Sequence, residues 1–284
     1  MKYQTMMDMT FPEFEAAVAK TDIALIPISA IEEHGPHLPL STDSIIVTGQ
    51  LADVQQELRE RGVETIIGPL LHIGITTEKD DWSNDGTYMY PGSLTISAET
   101  FTALYLDLIK SLQKNGLRRF FLYSGHYGPR HLKVVAKIAE QASTTLDGVK
   151  VYALIHSESV ERFGLSSNPH VLPVDRGRNF KLLADLLGHG PEMPTSTHAD
   201  GTETSEVLYR QPDAVKAKFQ GIPESPSSTF FAAYVEGNRD KNPGGMGGFP
   251  FDRASAAAGK EIAEFRARSI ADIMIAALNG NLQK

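Results

Sequence analysis

Residues 22–62 read DIALIPISAIEEHGPHLPLSTDSIIVTGQLADVQQELRERG, and their texture changes twice. Asp22 to Ser29 is a short apolar run, the pattern of a buried strand. Ser41 to Gly62 turns helical, with Ile45, Ile46, Leu51, Val54 and Leu58 spaced for one face. Between them, Ile31 to Asp43 sets five ionisable side chains into thirteen residues, which a plain connecting loop rarely does. The predicted unit is a strand, a charged loop and a helix.

Working outward, the same alternation recurs. Val63 to Leu70 reads as a second strand, Ser97 to Asn115 as a helix closed by Gly116, and Arg119 to Tyr123 as a third strand. A helix over His131 to Ala142 and a strand over Val149 to Ile155 follow. Upstream, Thr10-Phe11-Pro12-Glu13 has the spacing of a capping box and predicts a short helix to about Lys20. From Gly164 to about Gly248 the pattern loosens into Pro, Gly, Ser and Thr, which reads as long functional loops, and a last helix covers Ala254 to Leu278. The expectation is an α/β fold, a mostly parallel sheet covered by helices on both faces, with sites beyond the carboxyl ends of its strands.

Composition narrows the function. The chain has 284 residues, 41% apolar and 22% charged, the balance of an ordinary globular protein. With 27 basic against 35 acidic residues, a formal charge of −8, there is no basic footprint for nucleic acid or anionic lipid. No apolar run approaches the roughly 18 residues of a membrane span, and acids stand where a signal peptide would be apolar, so a cytoplasmic protein is expected. The chain has no cysteine, which leaves only oxygen and nitrogen ligands for any metal chemistry.

Three segments carry such ligands. Glu32 and His34 are two residues apart and point the same way in an extended segment, and the stiff Gly35-Pro36-His37-Leu38-Pro39 stretch can return Asp43 toward them. Asp43 has a second reading as a helix-capping residue. His37 either contacts substrate or fixes the loop by a hydrogen bond. His126 lies in the Gly-rich turn Ser124-Gly125-His126-Tyr127-Gly128 after the third strand, where a lone histidine is as readily structural as catalytic. His198 and Glu203 lie in His198-Ala199-Asp200-Gly201-Thr202-Glu203-Thr204-Ser205, and Glu203 alone would read as a first-turn acid favoured by the helix dipole. Phosphate-loop, dinucleotide-binding and nucleophile-elbow motifs are absent from the sequence.

Taken together, Glu-x-His-Gly-Pro-His-Leu-Pro-Leu-x-Thr-Asp, the later Gly-His, and His-Ala-x-x-x-Glu-Thr-Ser resemble the creatininase (creatinine amidohydrolase) family. Tyr90-Pro91-Gly92-Ser93, Phe249-Pro250 and Ala254 to Lys260 extend the resemblance along most of the chain. It implies one three-layer α/β sandwich domain over residues 1–284, a homo-oligomer, often a hexamer, and two divalent metal ions per chain that hydrolyse a C–N bond in a small, often cyclic, amide. Carried over, Glu32 and His126 hold one metal, His34 and a further carboxylate the other, and Asp43 bridges both. Creatinine-cleaving members supply that further carboxylate at the position of Gly128, so Glu203 is the expected replacement. His198 is the expected catalytic residue, holding substrate or moving a proton, and His37, Tyr127 and Trp82 are candidate substrate contacts.

The donor set suits zinc, manganese, iron or cobalt, and two divalent cations balance three carboxylates and one hydroxide, which avoids a large burial cost. A metal pair about 3.5–4 Å apart activates water and polarises the scissile carbonyl. The residues beside the expected ligands depart from the family: Ser29-Ala30 replaces Gly-Ser, Ser124 replaces Asn, and the single tryptophan, Trp82, stands away from the His198 segment where creatinine-specific members close the pocket. A substrate other than creatinine is therefore expected. The rivals are a lactonase, deformylase or peptidase of the same family and a non-catalytic metabolite-binding relative. The polar loop Thr76 to Tyr90 reads either as solvated or as a lid or subunit contact, and Pro243 to Gly248 as a flexible turn.

Overall fold

The strand predicted at residues 22–29 forms as β1 (Ile23–Ile28), and it lies inside a five-stranded sheet ordered β2-β1-β3-β4-β5. The computed structural model describes residues 5–79, 86–174, 177–188, 197–216, 233, 237–249 and 253–280. The other strands are β2 (Ile66–Ile67), β3 (Arg119–Ser124), β4 (Lys150–His156) and β5 (Val171–Val174), and every pairing is parallel. The helices are α1 (Phe11–Val18), α2 (Thr42–Glu60), α3 (Ala98–Lys114), α4 (Pro129–Thr145), α5 (Ser157–Arg162), α6 (Gly177–Leu187), α7 (Gly201–Arg210) and α8 (Ala256–Leu278).

Why the strands read as unbroken apolar runs is plain from their surroundings, since both faces of the sheet are covered. On one face Ala24, Ile26, Ile28, Phe120 and Leu122 meet Phe101, Tyr105 and Ile109 of α3 and Leu132, Val135 and Ala139 of α4. On the other, Ile23, Leu25, Phe121 and Tyr123 meet Val47, Leu51, Val54 and Leu58 of α2 and Ile270 and Met274 of α8. Full burial of each such side chain stabilises by roughly 1.5–3 kcal/mol. Among the described residues no helix is long and apolar enough to cross a membrane.

Three differences from the sequence reading have physical causes. The second strand shrinks to Ile66–Ile67, paired with Ala24 and Leu25, because Gly68-Pro69 interrupts the run, and pairing with β1 resumes only as a bridge between Leu71 and Ile28. Helix α4 starts at Pro129 rather than His131, since proline is tolerated in a first turn, and this shortens the turn that carries His126. The stretch after Gly164, read as loops, contains β5 and α6; four residues with a proline give too little periodicity to be seen. At the front of α1 the Glu13 carboxylate accepts from the Thr10 amide and hydroxyl, both at 2.7 Å, as the capping-box spacing predicts.

The strand order places the site. From β1 the chain moves to β2 on one side and returns to β3 on the other, so the connections diverge between β1 and β3. A crevice opens at such a switch point, beyond the strand ends. Ile28 is paired with Ser124 there, so the loops that follow, residues 29–41 and 125–128, are neighbours.

Candidate metal centre

The loop after β1 folds back on itself. The Glu32 amide donates to the Leu40 carbonyl at 3.2 Å, and Gly35 takes a φ of +64° that favours glycine. This return sets Asp43, in the first turn of α2, against His34 and His126. Its carboxylate faces those rings rather than the helix amides, so the capping alternative does not describe it. The His34 ring Nδ1 lies 3.1 Å from the Glu32 carbonyl. A carbonyl only accepts, so Nδ1 carries a proton, and Nε2 is the atom turned toward Asp43 Oδ1 at 3.3 Å and Glu203 Oε2 at 3.7 Å.

His126 reaches the same place from the turn after β3. Its Nδ1 stands 2.8 Å from Glu32 Oε2 and 3.5 Å from Asp43 Oδ2. The turn is pinned by Ser124, whose hydroxyl accepts from the His126 amide and donates to its carbonyl. His131 completes the support: its Nδ1 accepts from the Ile75 amide, which leaves Nε2 as donor to Ser124 Oγ at 3.1 Å. Glu203 comes from the third position of α7, and its Oε2 accepts from the Ala199 amide at 2.6 Å. Ala199 adopts a φ of +49°, a conformation that costs a non-glycine residue about 1 kcal/mol or more and turns that amide toward Glu203.

Two trios emerge, Glu32–Asp43–His126 and His34–Asp43–Glu203, each with potential ligand atoms within 4.8 Å of one another and with Asp43 common to both. A third grouping, Glu32–His34–His198, overlaps them. His198 sits beside the cluster, its ring centroid 4.6 Å from that of His34 and its Nε2 3.3 Å from Glu33 Oε1. All these side chains except Glu33 line a cavity of about 110 Å³, together with Thr76, Glu78, Tyr127 and Gly128.

Taken as protein groups alone, the buried carboxylates hold protons on the imidazoles. Burial opposes charge on His34, but Asp43, Glu203 and Glu32 outweigh it and raise the group to about 10. His198 rises to about 9 against the same burial, through Glu32 and its bond to Glu33. Burial also opposes the charged form of Asp43, yet His34 and His126 bring it well below the usual carboxylate range. Glu203 is pushed up to about 7, chiefly by burial. Burial and the neighbouring His126 hold His131 well below its ordinary value, consistent with the neutral tautomer above.

With that geometry in place, the family model for creatininase, described as creatinine amidohydrolase, matches residues 7–274. The chain belongs to the creatininase family. It is 30% identical over 121 residues to the creatinine amidohydrolase of Pseudomonas putida, covering 42% of this chain and 44% of that protein. It is 28% identical over 109 residues to a mycofactocin precursor peptide peptidase of Mycobacterium tuberculosis, 37% of this chain and 40% of the relative. The matched segments span less than half the length of either curated relative. A solved structure described as "Creatininase Mn" superposes with a TM-score of 0.72 at 23% identity, covering 98% of this chain and 99% of that one, and shares the fold.

Not every expected residue of this creatininase-family site faces the cavity. His37 is fully buried, with Nε2 2.8 Å from Thr204 Oγ1, and does not line it; the loop-fixing alternative is the one the geometry supports. Tyr127 lines the cavity and stacks on His156 with ring centroids 4.2 Å apart. Trp82 lies outside the described residues. In the loop from Thr76 to Tyr90, residues 80–85 are likewise outside them, while Thr76 and Glu78 reach the cavity.

Sequence reasoning missed Glu33, His131, Glu78 and the glycine turn. Glu33 stands inside the first motif between two candidate ligands, a signal that was available. The glycine turn is a clamp: Gly247 and His198 exchange backbone hydrogen bonds at 2.8 and 2.9 Å, and a Cβ on Gly245 would stand 2.6 Å from Glu33 Oε2. Asp200 caps α7 through the Thr202 and Glu203 amides and also accepts from the Phe249 amide at 3.0 Å, tying both ends of the His198 segment.

Proposed function

We propose that this chain is a dinuclear metal-dependent amidohydrolase that cleaves a C–N bond of a small, cyclic amide. The observation that carries the reading is the sharing of Asp43 by two trios of oxygen and nitrogen ligands, all buried except the half-buried Glu203. The residues fit the metals: among the described residues Asp43 Oδ2 is buried without a hydrogen-bond partner, and carboxylates with imidazoles form a donor set suited to zinc or manganese. When bound, the two cations supply an activated water and polarise the scissile carbonyl.

The chain's own residues do the rest. Glu32 and His126 would hold one cation and His34 and Glu203 the other, with Asp43 common to both. His198 faces the same cavity from the opposite loop and donates a proton to the leaving nitrogen, with Glu33 orienting its ring. The cavity of about 110 Å³ admits a small amide. The experiment is elemental analysis of the parent and of Glu203→Ala, followed by a screen of cyclic amides and lactones. About two metals per chain falling toward one in the variant supports the reading; no metal in the reconstituted parent removes it and favours a binding protein.

A further inference from the structure

The two ring nitrogens of His126 have opposite surroundings. Nδ1 faces Glu32 and Asp43 and is the atom offered to a cation. Nε2 is buried and has no hydrogen-bond partner among the described residues. A neutral imidazole whose Nδ1 lone pair goes to a cation must carry its proton on Nε2. A buried N–H without an acceptor costs roughly 1–3 kcal/mol, and histidines that bind metals almost always give that proton to a carboxylate, a carbonyl or water.

The carboxylate at hand is Glu78. Glu78 Oε2 accepts from the Arg130 amide in the first turn of α4 at 3.2 Å, and the Arg130 guanidinium holds the same loop through Thr77 Oγ1 at 3.1 Å. Glu78 Oε1 is turned toward a gap left by Gly128. A Cβ built on Gly128 would stand 2.7 Å from His126 Nε2 and 3.4 Å from Glu78 Oε1, so both atoms border one small space that any other residue at position 128 would fill. Rotation about the broad terminal torsion of glutamate moves Oε1 within that space.

We propose that Glu78 accepts the Nε2 proton of His126 and so acts as a positioning residue for the Glu32–Asp43–His126 metal site. The proposal rests on the dinuclear reading above. It also gives Gly128 a role: the position that cannot ligate admits a carboxylate from a separate loop, which orients the histidine two residues before it.

The test is zinc binding by chelator competition on the parent, Glu78→Ala, Glu78→Gln and Gly128→Ala, with a ¹⁵N–¹H histidine spectrum of each zinc-loaded protein. In Glu78→Ala one of the two zinc equivalents weakens 10–100-fold while the other keeps its affinity, and the hydrogen-bonded Nε2–H signal of His126 disappears. Glu78→Gln, whose one amide oxygen can serve the Arg130 amide or His126 Nε2–H but not both, weakens the same zinc equivalent less than Glu78→Ala does. Gly128→Ala, with a methyl in the gap, follows Glu78→Ala even if Glu78→Ala proves too unstable to study. Parental zinc affinity in Glu78→Ala, or equal losses in the Ala and Gln variants, overturns the proposal while leaving the dinuclear reading standing. A parent that takes up fewer than two zinc ions overturns both.

Discussion

Gly125 and Asp43 touch backbone to backbone: a Cβ on Gly125 would collide with the Asp43 carbonyl oxygen and stand 3.0 Å from its carbonyl carbon. The glycine is therefore present for close approach, not for an unusual φ. It lets the turn after β3 press against the first turn of α2, and so brings His126 within reach of the carboxylate that both trios share.

Replacement of Gly125 by alanine must push Asp43 and His126 apart. Overpacking of this kind costs about 1–3 kcal/mol. Because Asp43 belongs to both trios, the displacement is expected to lower the content of both metals together, unlike Glu203→Ala, which removes one. Elemental analysis with a thermal melt checks this, and a Gly125→Ala protein with two metals and an unchanged Tm would count against it.

His198 is expected to matter for rate and not for metal content. His198→Ala keeps both metals and loses on the order of 10²–10⁴-fold in kcat on any amide the parent hydrolyses, the usual contribution of a positioned acid or base. Glu33 acts through it, so Glu33→Ala lowers kcat with little change in KM, and Glu33→Gln, whose one amide oxygen must serve either the ring or the Gly35 amide, restores only part of it. Full activity in His198→Ala removes its assigned role.

A buried ion network carries stability close to the site. Glu206 on α7 is fully buried, bonded to Arg266 of α8 and 3.7 Å from Arg210, which in turn reaches Asp53 of α2 at 3.0 Å. Removal of one partner from such a network leaves uncompensated buried charge. Glu206→Ala is thus expected to lose about 3–5 kcal/mol in denaturant unfolding. A loss below about 1 kcal/mol would mean that the two arginines find other partners.

The parts of this structure that could be read from sequence are those with long periodicity or dense chemistry. Helix α2 showed itself by five apolar residues on one face, and the segment from Glu32 to Asp43 by its charge density between a strand and a helix. β5 and α6 escaped, since their short pattern is broken by proline and surrounded by polar residues. Glu78 and His131 escaped for another reason. Neither belongs to a motif, and each is brought to His126 by tertiary contacts, through Arg130 in one case and the Ile75 amide in the other. Gly128 was read as a lost ligand, and only the structure shows the space it leaves.

The same cluster sets a pH dependence on the protein after treatment with a chelator. His34 at about 10 and His198 at about 9 both lie above the ordinary 6.5, so the folded state binds these protons more tightly than the unfolded chain does. Their contribution is complete below about pH 6.5 and is lost as the pH rises through 9 and then 10. Glu203, raised to about 7 from 4.5, adds a penalty that grows between those two values and is constant above them. The chelated protein is therefore expected to lose Tm steadily from about pH 7 to pH 10. The zinc-loaded protein should change far less, because the cations replace the protons. Zinc affinity should rise over the same interval, since His34 must release its proton to ligate. Calorimetry of both forms decides the matter: a chelated protein whose Tm stays level or climbs between pH 7 and 10 would show that the imidazoles do not carry the charge that holds Glu32, Asp43 and Glu203 together.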